Sequence, residues 1–384
     1  MKILFAPDSF KGSLSAIECC DILEKVAHRI FPDAQTVFIP VADGGEGTVD
    51  ALLRALDGRR IKTPVTGPMF ENETAEWGML KDGKTAVMEM AQASGLPYVP
   101  ADDRDPLHAT SLGTGEMIAA ALKMGVRSLL IGIGGSATND GGMGMLTALG
   151  ARFTDKNGNP VQPTGGEMKN VAKADFTNLL PELNETEINV ICDVTNPLLG
   201  ENGATFVYGP QKGVTQVMRE ELEAGMEHYA SIVSDAIGRN IATFPGAGAA
   251  GGLGAALGGV LSARLKSGID AVLDAVDFDR RLEDVSLVIT GEGRIDGQSV
   301  RFGKVPVGVA RRCAARNIPV VAIVGGIGDG AEGLFELCES TIQTTVNGPM
   351  SLKEAMTEAP ALYEAAAERL LRAIRIGMRI SAPK

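Results

Sequence analysis

Aromatic residues are scarce, at 4% of 384 residues, and Trp77 is the single tryptophan. The core must therefore be built from aliphatic side chains and alanine. Histidine is rarer still: His28, His108 and His228 lie far apart in sequence, so no His-based metal cluster is indicated. The five cysteines (Cys19, Cys20, Cys192, Cys313, Cys338) form no C-x-x-C pair, and their odd number argues against a disulfide framework. Long hydrophobic runs are missing. Met1–Ala6 is apolar but reaches Pro7-Asp8 too soon for a signal peptide, and the uncharged stretch Asn240–Ala263 contains seven glycines and few large apolar groups. It reads as a buried glycine-rich loop and helix, and the expected location is cytoplasmic. Basic residues are outnumbered, 36 Lys and Arg against 48 Asp and Glu, for a net charge of −12. Such a field repels nucleic acid and anionic membrane, so neither is an expected partner. An anionic small substrate requires local cations or helix N-termini to reverse that field.

What is abundant is glycine, 48 residues, arranged in a strand–loop–helix rhythm. Lys2–Ala6 suits a buried strand, and Ser15-Ala16-Ile17-Glu18 then offers a capping box. Gln35–Pro40 reads as a second strand. Near the other end, strands are expected at Val285–Thr290, Pro319–Val324 and Thr341–Val346, alternating with helices. Gly291–Lys304 is read as a loop and Gly325–Gly330 as a glycine turn. The middle holds strands at Thr85–Met90, Ser128–Ile133 and Ile188–Val194, and Thr66–Gly83 reads as turn-rich. Alternating strands and helices argue for an α/β fold with parallel sheet. The expectation is two domains: residues 1–65 plus 284–384 form a discontinuous α/β domain built from both chain ends, and residues 66–283 form a second, inserted α/β domain.

Six loops combine glycine with an acid or a base. Pro7–Ser13 follows a strand and opens a helix, so its amides can meet an anion with Lys11 adding charge. In Ala42–Thr48, Asp43 and Glu46 could share a divalent ion, or could serve as dipole-favouring acids of a helix start. Gly132–Gly142 can wrap phosphates with its amides, while Ser136 and Thr138 supply hydroxyls and Asn139 and Asp140 offer oxygens to Mg²⁺. Asp193, at a strand end, is a candidate base or metal ligand, or the start of an Asx-type turn before Pro197. Gly246–Gly254 contains a G-x-G-x-x-G, but the segment before it is a poor buried strand ending in Pro245, which argues against NAD and leaves a packing or phosphate-loop role. Thr290–Lys304 nearly spells a Walker A loop and fails: Gly297 to Gly303 is one residue too long, and Val305 stands where a Mg²⁺-binding hydroxyl belongs.

Glycine loops, hydroxyls, several Asp and a few cations without Walker A suggest phosphoryl transfer to a small molecule. On residue chemistry, Asp193 is the expected base, with Lys11, Arg294 and Lys304 as catalytic cations. Asp8, Ser9, Lys11 and Arg294 are the expected substrate contacts, since a guanidinium can pair a carboxylate in two parallel bonds. Gly134, Gly135, Ser136, Thr138, Asn139, Gly248 and Gly251 are the expected nucleotide cradle. Asp43, Asp140 and Asp296 are the expected Mg²⁺ ligands.

Taken together, Ala6–Ser15, Val41–Gly47, Gly132–Gly142, Cys192–Leu198, Gly209-Pro210-Gln211-Lys212-Gly213, Gly246–Leu257, and Thr290–Asp296 with Gly303-Lys304-Val305-Pro306 resemble the bacterial glycerate kinase family of the glycerate 2-kinase type. The resemblance spans nearly the whole chain in order. It implies ATP, Mg²⁺ and D-glycerate as reactants. It also implies a flavodoxin-like domain beside a second α/β domain, with the active site in the cleft between them. Two rival classes stay open, a dehydrogenase and a non-catalytic metabolite-binding protein. Phosphorylation at the 3-position is the alternative to the 2-position, and a homo-oligomer is left open.

Overall fold

The computed structural model describes residues 1–42 and 48–381. In chain order the strands are β1 (Lys2–Pro7), β2 (Gln35–Phe38), β3 (Arg59–Thr66), β4 (Asn72–Met79), β5 (Thr85–Glu89), β6 (Ser128–Gly132), β7 (Arg152–Thr154), β8 (Lys173–Asp175), β9 (Glu187–Ile191), β10 (Arg264–Lys266), β11 (Leu287–Ile295), β12 (Val320–Ile327) and β13 (Ser340–Thr344). The chain divides into two compact units, Met1–Asp57 with Ser267–Lys384, and Gly58–Lys266. The sequence reading had set these limits at 65/66 and 283/284.

The first unit is a five-stranded sheet in the order β13-β12-β11-β1-β2, parallel throughout. Counted within the unit, this is the 2-1-3-4-5 order of flavodoxin-like folds. Side chains alternate between its two faces with period two. Val321 and Ile323 join Ile3, Phe5 and Ile289 under the helices Ala16–Ile30 and Ala359–Ser381. Ala322 and Val324 instead pack with Val307 and Ala310 of helix Val305–Ala314. The expected capping box is present: Ser15 Oγ accepts from the Glu18 amide at 3.2 Å, and Glu18 Oε2 accepts from the Ser15 amide at 2.8 Å.

Two strands run further than the sequence suggested. β11 continues through Gly291–Ile295 because β12 keeps pairing with it, Arg294 opposite Gly326 and Ile295 opposite Ile327. The glycines read as turn residues are therefore strand residues. A side chain at Gly291 would lie 2.0 Å from the Ile323 carbonyl oxygen, so the close approach of β12 selects glycine there.

The second unit holds a six-stranded sheet, β10-β9-β6-β5-β4-β3, in which β5, β6, β9 and β10 are parallel and the β3–β4 hairpin is antiparallel. Trp77, Met88, Ile131, Met117, Leu146 and Tyr229 belong to one buried cluster, which helices Leu112–Lys123 and Gln216–Ile237 help to form. The turn-rich reading of Thr66–Gly83 is corrected, since this segment contains β4, paired with β3 over eight residues. The alternation is weak because β4 has few large apolar residues besides Trp77 and Met79; on its outer face Arg60 and Lys62 both pair with Glu76, each at 2.9 Å. Trp77 is fully buried on the other side, its Nε1 donating to Thr63 Oγ1 at 2.9 Å. No described helix is long and apolar enough to cross a membrane.

Candidate active site

In an open parallel sheet, ligands collect at the carboxyl ends of strands where the strand order reverses. In the first unit that point lies between β1 and β11. The loop after β1 is held down by Phe10, which is buried and meets the Tyr363 ring edge-on at 5.3 Å. Its amide donates to the Leu14 carbonyl at 2.7 Å, and the Leu14 amide returns the bond at 3.1 Å. With Phe10 plugged into the core, the next residue, Lys11, is left exposed. The Asp8 amide extends the ladder to Gly291, and Asp8 Oδ1 accepts from the Ser9 amide at 2.6 Å. The loop lies over β11: a Cβ at Gly293 would sit 3.8 Å from the Lys11 nitrogen.

After β11, Asp296 caps helix Gly297–Phe302. Its Oδ1 accepts from the amides of Gln298 and Ser299 at 3.0 and 3.1 Å. Its Oδ2 faces Arg294 Nε at 3.5 Å. The Ser299 amide, then that of Gln298, with the charges of Arg294 and Lys304, hold this carboxyl below the usual range. Arg294, Lys304 and Asp296 are thus gathered at one edge, and the side chain of Arg294 is 72% exposed. This edge can bind an anion, and its hard carboxylate oxygens match Mg²⁺, which keeps several waters and takes one or two carboxylates. Among the described residues no group of three or more His, Cys, Asp or Glu converges as a metal cage. Asp43 lies outside the described residues.

In the second unit the loops after β6 and β9 leave the same edge of neighbouring parallel strands, Gly132 being paired with Ile191. Gly134 and Asp193 each lie two residues beyond that pair, and both are exposed. Gly134 has open space where a Cβ would stand, and exposed Gly135 has φ +74°. Ser136 is 5% exposed. Gly134 and Gly135 form the accessible rim of the loop, with Ser136 buried just behind them. Cys192, beside Asp193, donates to the Val194 carbonyl, and burial raises its thiol, so it is no poised nucleophile.

The rest of the expected cradle sits beneath the rim. Thr138, Asn139 and Asp140 are fully buried. Asp140 accepts from the Ser111 amide at 2.8 Å, Ser111 Oγ at 2.7 Å, and the amides of Gly142 and Gly144 at 3.1 Å. Burial raises its pKa against the lowering effect of these bonds. With both oxygens so engaged, Asp140 anchors the loop and offers no open coordination position to Mg²⁺. Gly248 and Gly251 are likewise packing residues, because side chains there would lie 2.2 Å from the Pro197 carbonyl and 2.1 Å from the Thr138 carbonyl. Ala250, Gly251 and Gly252 all adopt left-handed backbone, so the chain turns sharply against Thr138–Asn139. Gly251→Ala combines a clash with backbone and a disfavoured φ of +66°. It should destabilise the fold by about 2 kcal/mol or more, read as a lower midpoint in urea unfolding.

Sequence reasoning missed the residue inserted under this loop. Lys212 is 1% exposed, and its Nζ donates to the Thr138 carbonyl at 2.6 Å. Burial lowers its pKa to about 7, with Asp140 acting in the opposite direction. The one hint was its place within Gly209–Gly213, where nothing local says that a lysine points inward.

Residues 3–375 match the model of the glycerate kinase family. The chain is 48% identical to glycerate 2-kinase of Escherichia coli K12, covering 99% of both chains, and 47% identical to glycerate kinase of Bacillus subtilis 168, covering 98% of both. The crystal structure of a putative glycerate kinase 2 from Salmonella typhimurium LT2 superposes with a TM-score of 0.90 at 42% identity, covering 99% of each chain. The chain belongs to the glycerate kinase family, and its fold is that of a solved member.

Proposed function

We propose that this protein is an ATP- and Mg²⁺-dependent glycerate 2-kinase that converts D-glycerate to 2-phosphoglycerate. The observation that carries the reading is the near-complete 48% match to a glycerate 2-kinase. In this reading residues Gly134–Ser136 receive the nucleotide phosphates on main-chain amides, and Lys11, Arg294 and Lys304 offset the charge of glycerate and phosphates. Asp193 accepts the proton of the attacking hydroxyl. The hydroxyl oxygen forms a bond to the γ-phosphorus as the bond to the ADP oxygen breaks. Mg²⁺, when bound, neutralises charge on the phosphate oxygens. Asp296, and Asp43 if it faces the same ligand, are the assigned carboxylates.

The test is ADP release by the purified protein with ATP, Mg²⁺ and D-glycerate, followed by phosphorus NMR of the product. A phosphate ester on the secondary carbon is the expected result. An ester on the primary carbon removes the 2-position and leaves a kinase, and no ADP release overturns the reading. Arg294→Lys keeps the charge but loses the two-pronged geometry. The glycerate KM should then rise about tenfold, the scale of one lost charged hydrogen bond, with the ATP KM changing less.

A further inference from the structure

Lys212 has no place in the chemistry above, yet the fold puts it where a lysine is costly. A buried ammonium loses hydration that one hydrogen bond does not replace. Its Nζ donates to a main-chain carbonyl, that of Thr138, at 2.6 Å. Around it the packing leaves further polar groups unmatched. Thr138 Oγ1 and Asn139 Oδ1 are buried with no hydrogen-bond partner, although Asn139 Nδ2 donates to Thr205 Oγ1 at 3.2 Å. Native interiors rarely tolerate such a concentration of unsatisfied groups. A methionine would fill about the same volume with no ammonium to desolvate, though it would leave the Thr138 carbonyl without this donor, so burial alone gives no reason for a lysine here.

Geometry does. The Thr138 carbonyl is gripped on one side by Lys212 Nζ and backed on the other by Gly251, whose missing side chain would lie 2.1 Å away. The peptide between Thr138 and Asn139 is trans, so fixing its carbonyl also fixes its amide on the opposite side. Along the chain that peptide stands between the exposed Gly134 and Gly135 and the anchor at Asp140. We infer that Lys212 is a positioning residue that holds the loop after β6 in its nucleotide-receiving shape through the Thr138 carbonyl. The inference rests on the reading that this loop receives ATP.

Lys212→Met should remain folded, because relief of the desolvated charge offsets the loss of the Thr138 carbonyl's donor. Its ATP KM should rise about tenfold or more, the scale of a lost charged hydrogen bond, while the glycerate KM stays within about twofold. Lys212→Gln restores a donor without the charge and should recover part of the ATP KM. A merely structural lysine gives a different pattern, with a lowered midpoint and both KM values unchanged in whatever enzyme remains folded. That pattern, or failure of both variants to fold, overturns the inference. Gly134→Val is measured alongside. If it raises the ATP KM and Lys212→Met does not, the inference fails and the nucleotide reading stands. If neither variant moves the ATP KM, the nucleotide reading itself fails and takes the inference with it.

Discussion

Asp193→Asn should lower kcat by about 10²–10⁴-fold, the usual contribution of a positioned general base, with little change in either KM. Asp193 is exposed two residues past the end of β9, at the carboxyl edge of a parallel strand and next to the edge from which the β6 loop departs. A carboxylate there can reach a ligand without backbone rearrangement. Asparagine preserves shape and hydrogen-bonding capacity but cannot take a proton. An effect confined to kcat therefore separates proton acceptance from binding. Steady-state kinetics in both substrates decides the matter. A near-normal kcat would remove Asp193 from the chemistry and transfer attention to Asp8 or Asp296. A raised glycerate KM with unchanged kcat would make it a binding residue.

Gly134→Val should raise the ATP KM by about 10- to 100-fold, equivalent to ~1.4–2.8 kcal/mol of lost binding, while the thermal midpoint stays close to the parent's. This glycine is unusual among those of the loop region. Gly141, Gly142, Gly248, Gly251 and Gly252 would each drive a side chain to within 3.0 Å of other protein atoms, so their replacement tests packing. At Gly134 a Cβ meets nothing within 4 Å, and the backbone lies outside the left-handed region. The protein alone gives no reason for glycine at this position, and the close approach of a ligand does. ATP titration at saturating glycerate, with calorimetry on the same sample, separates the two effects. Unchanged ATP kinetics in a folded variant would take the loop out of the site.

Much of this architecture was readable from the chain because local signals agreed with the tertiary result. Lys2–Ala6 with the Ser15–Glu18 capping box foretold β1 and its helix, and the strand–loop–helix rhythm near the C-terminus foretold the parallel sheet. The β3–β4 hairpin was missed because β4 carries few large apolar residues on its inner face, so its alternation is weak. The glycine at 291 looked like part of a loop, since the neighbouring strand that makes it necessary lies some thirty residues on. In the β6 loop, composition marks a candidate segment but cannot rank its members. Gly134 and Thr138 look equally suited to phosphate, and only burial separates the exposed rim from its foundation. Lys212 was least legible, because a lysine is ordinarily read as a solvated residue.

The split of the first unit carries a consequence for biosynthesis. Residues Ala6 and Thr290 are hydrogen-bonded neighbours 284 positions apart in the chain. On the ribosome, β1, β2 and the first helix emerge early and stay without their central sheet partner until β11 has been made. Helix Ala16–Ile30 waits longer still for helix Ala359–Ser381, to which it is tied by Lys25 and Arg29 pairing with Glu364. The second unit, Gly58–Lys266, is complete well before that. Domains generally fold as units during synthesis, and closing a long loop is slow. The order of completion is therefore inverted relative to the order of translation: the inserted unit is fully synthesised before the unit that begins the chain. Until β11 and the last helix are made, the apolar residues of β1 and of helix Ala16–Ile30 stay without their native partners, the condition in which a nascent chain is exposed to aggregation.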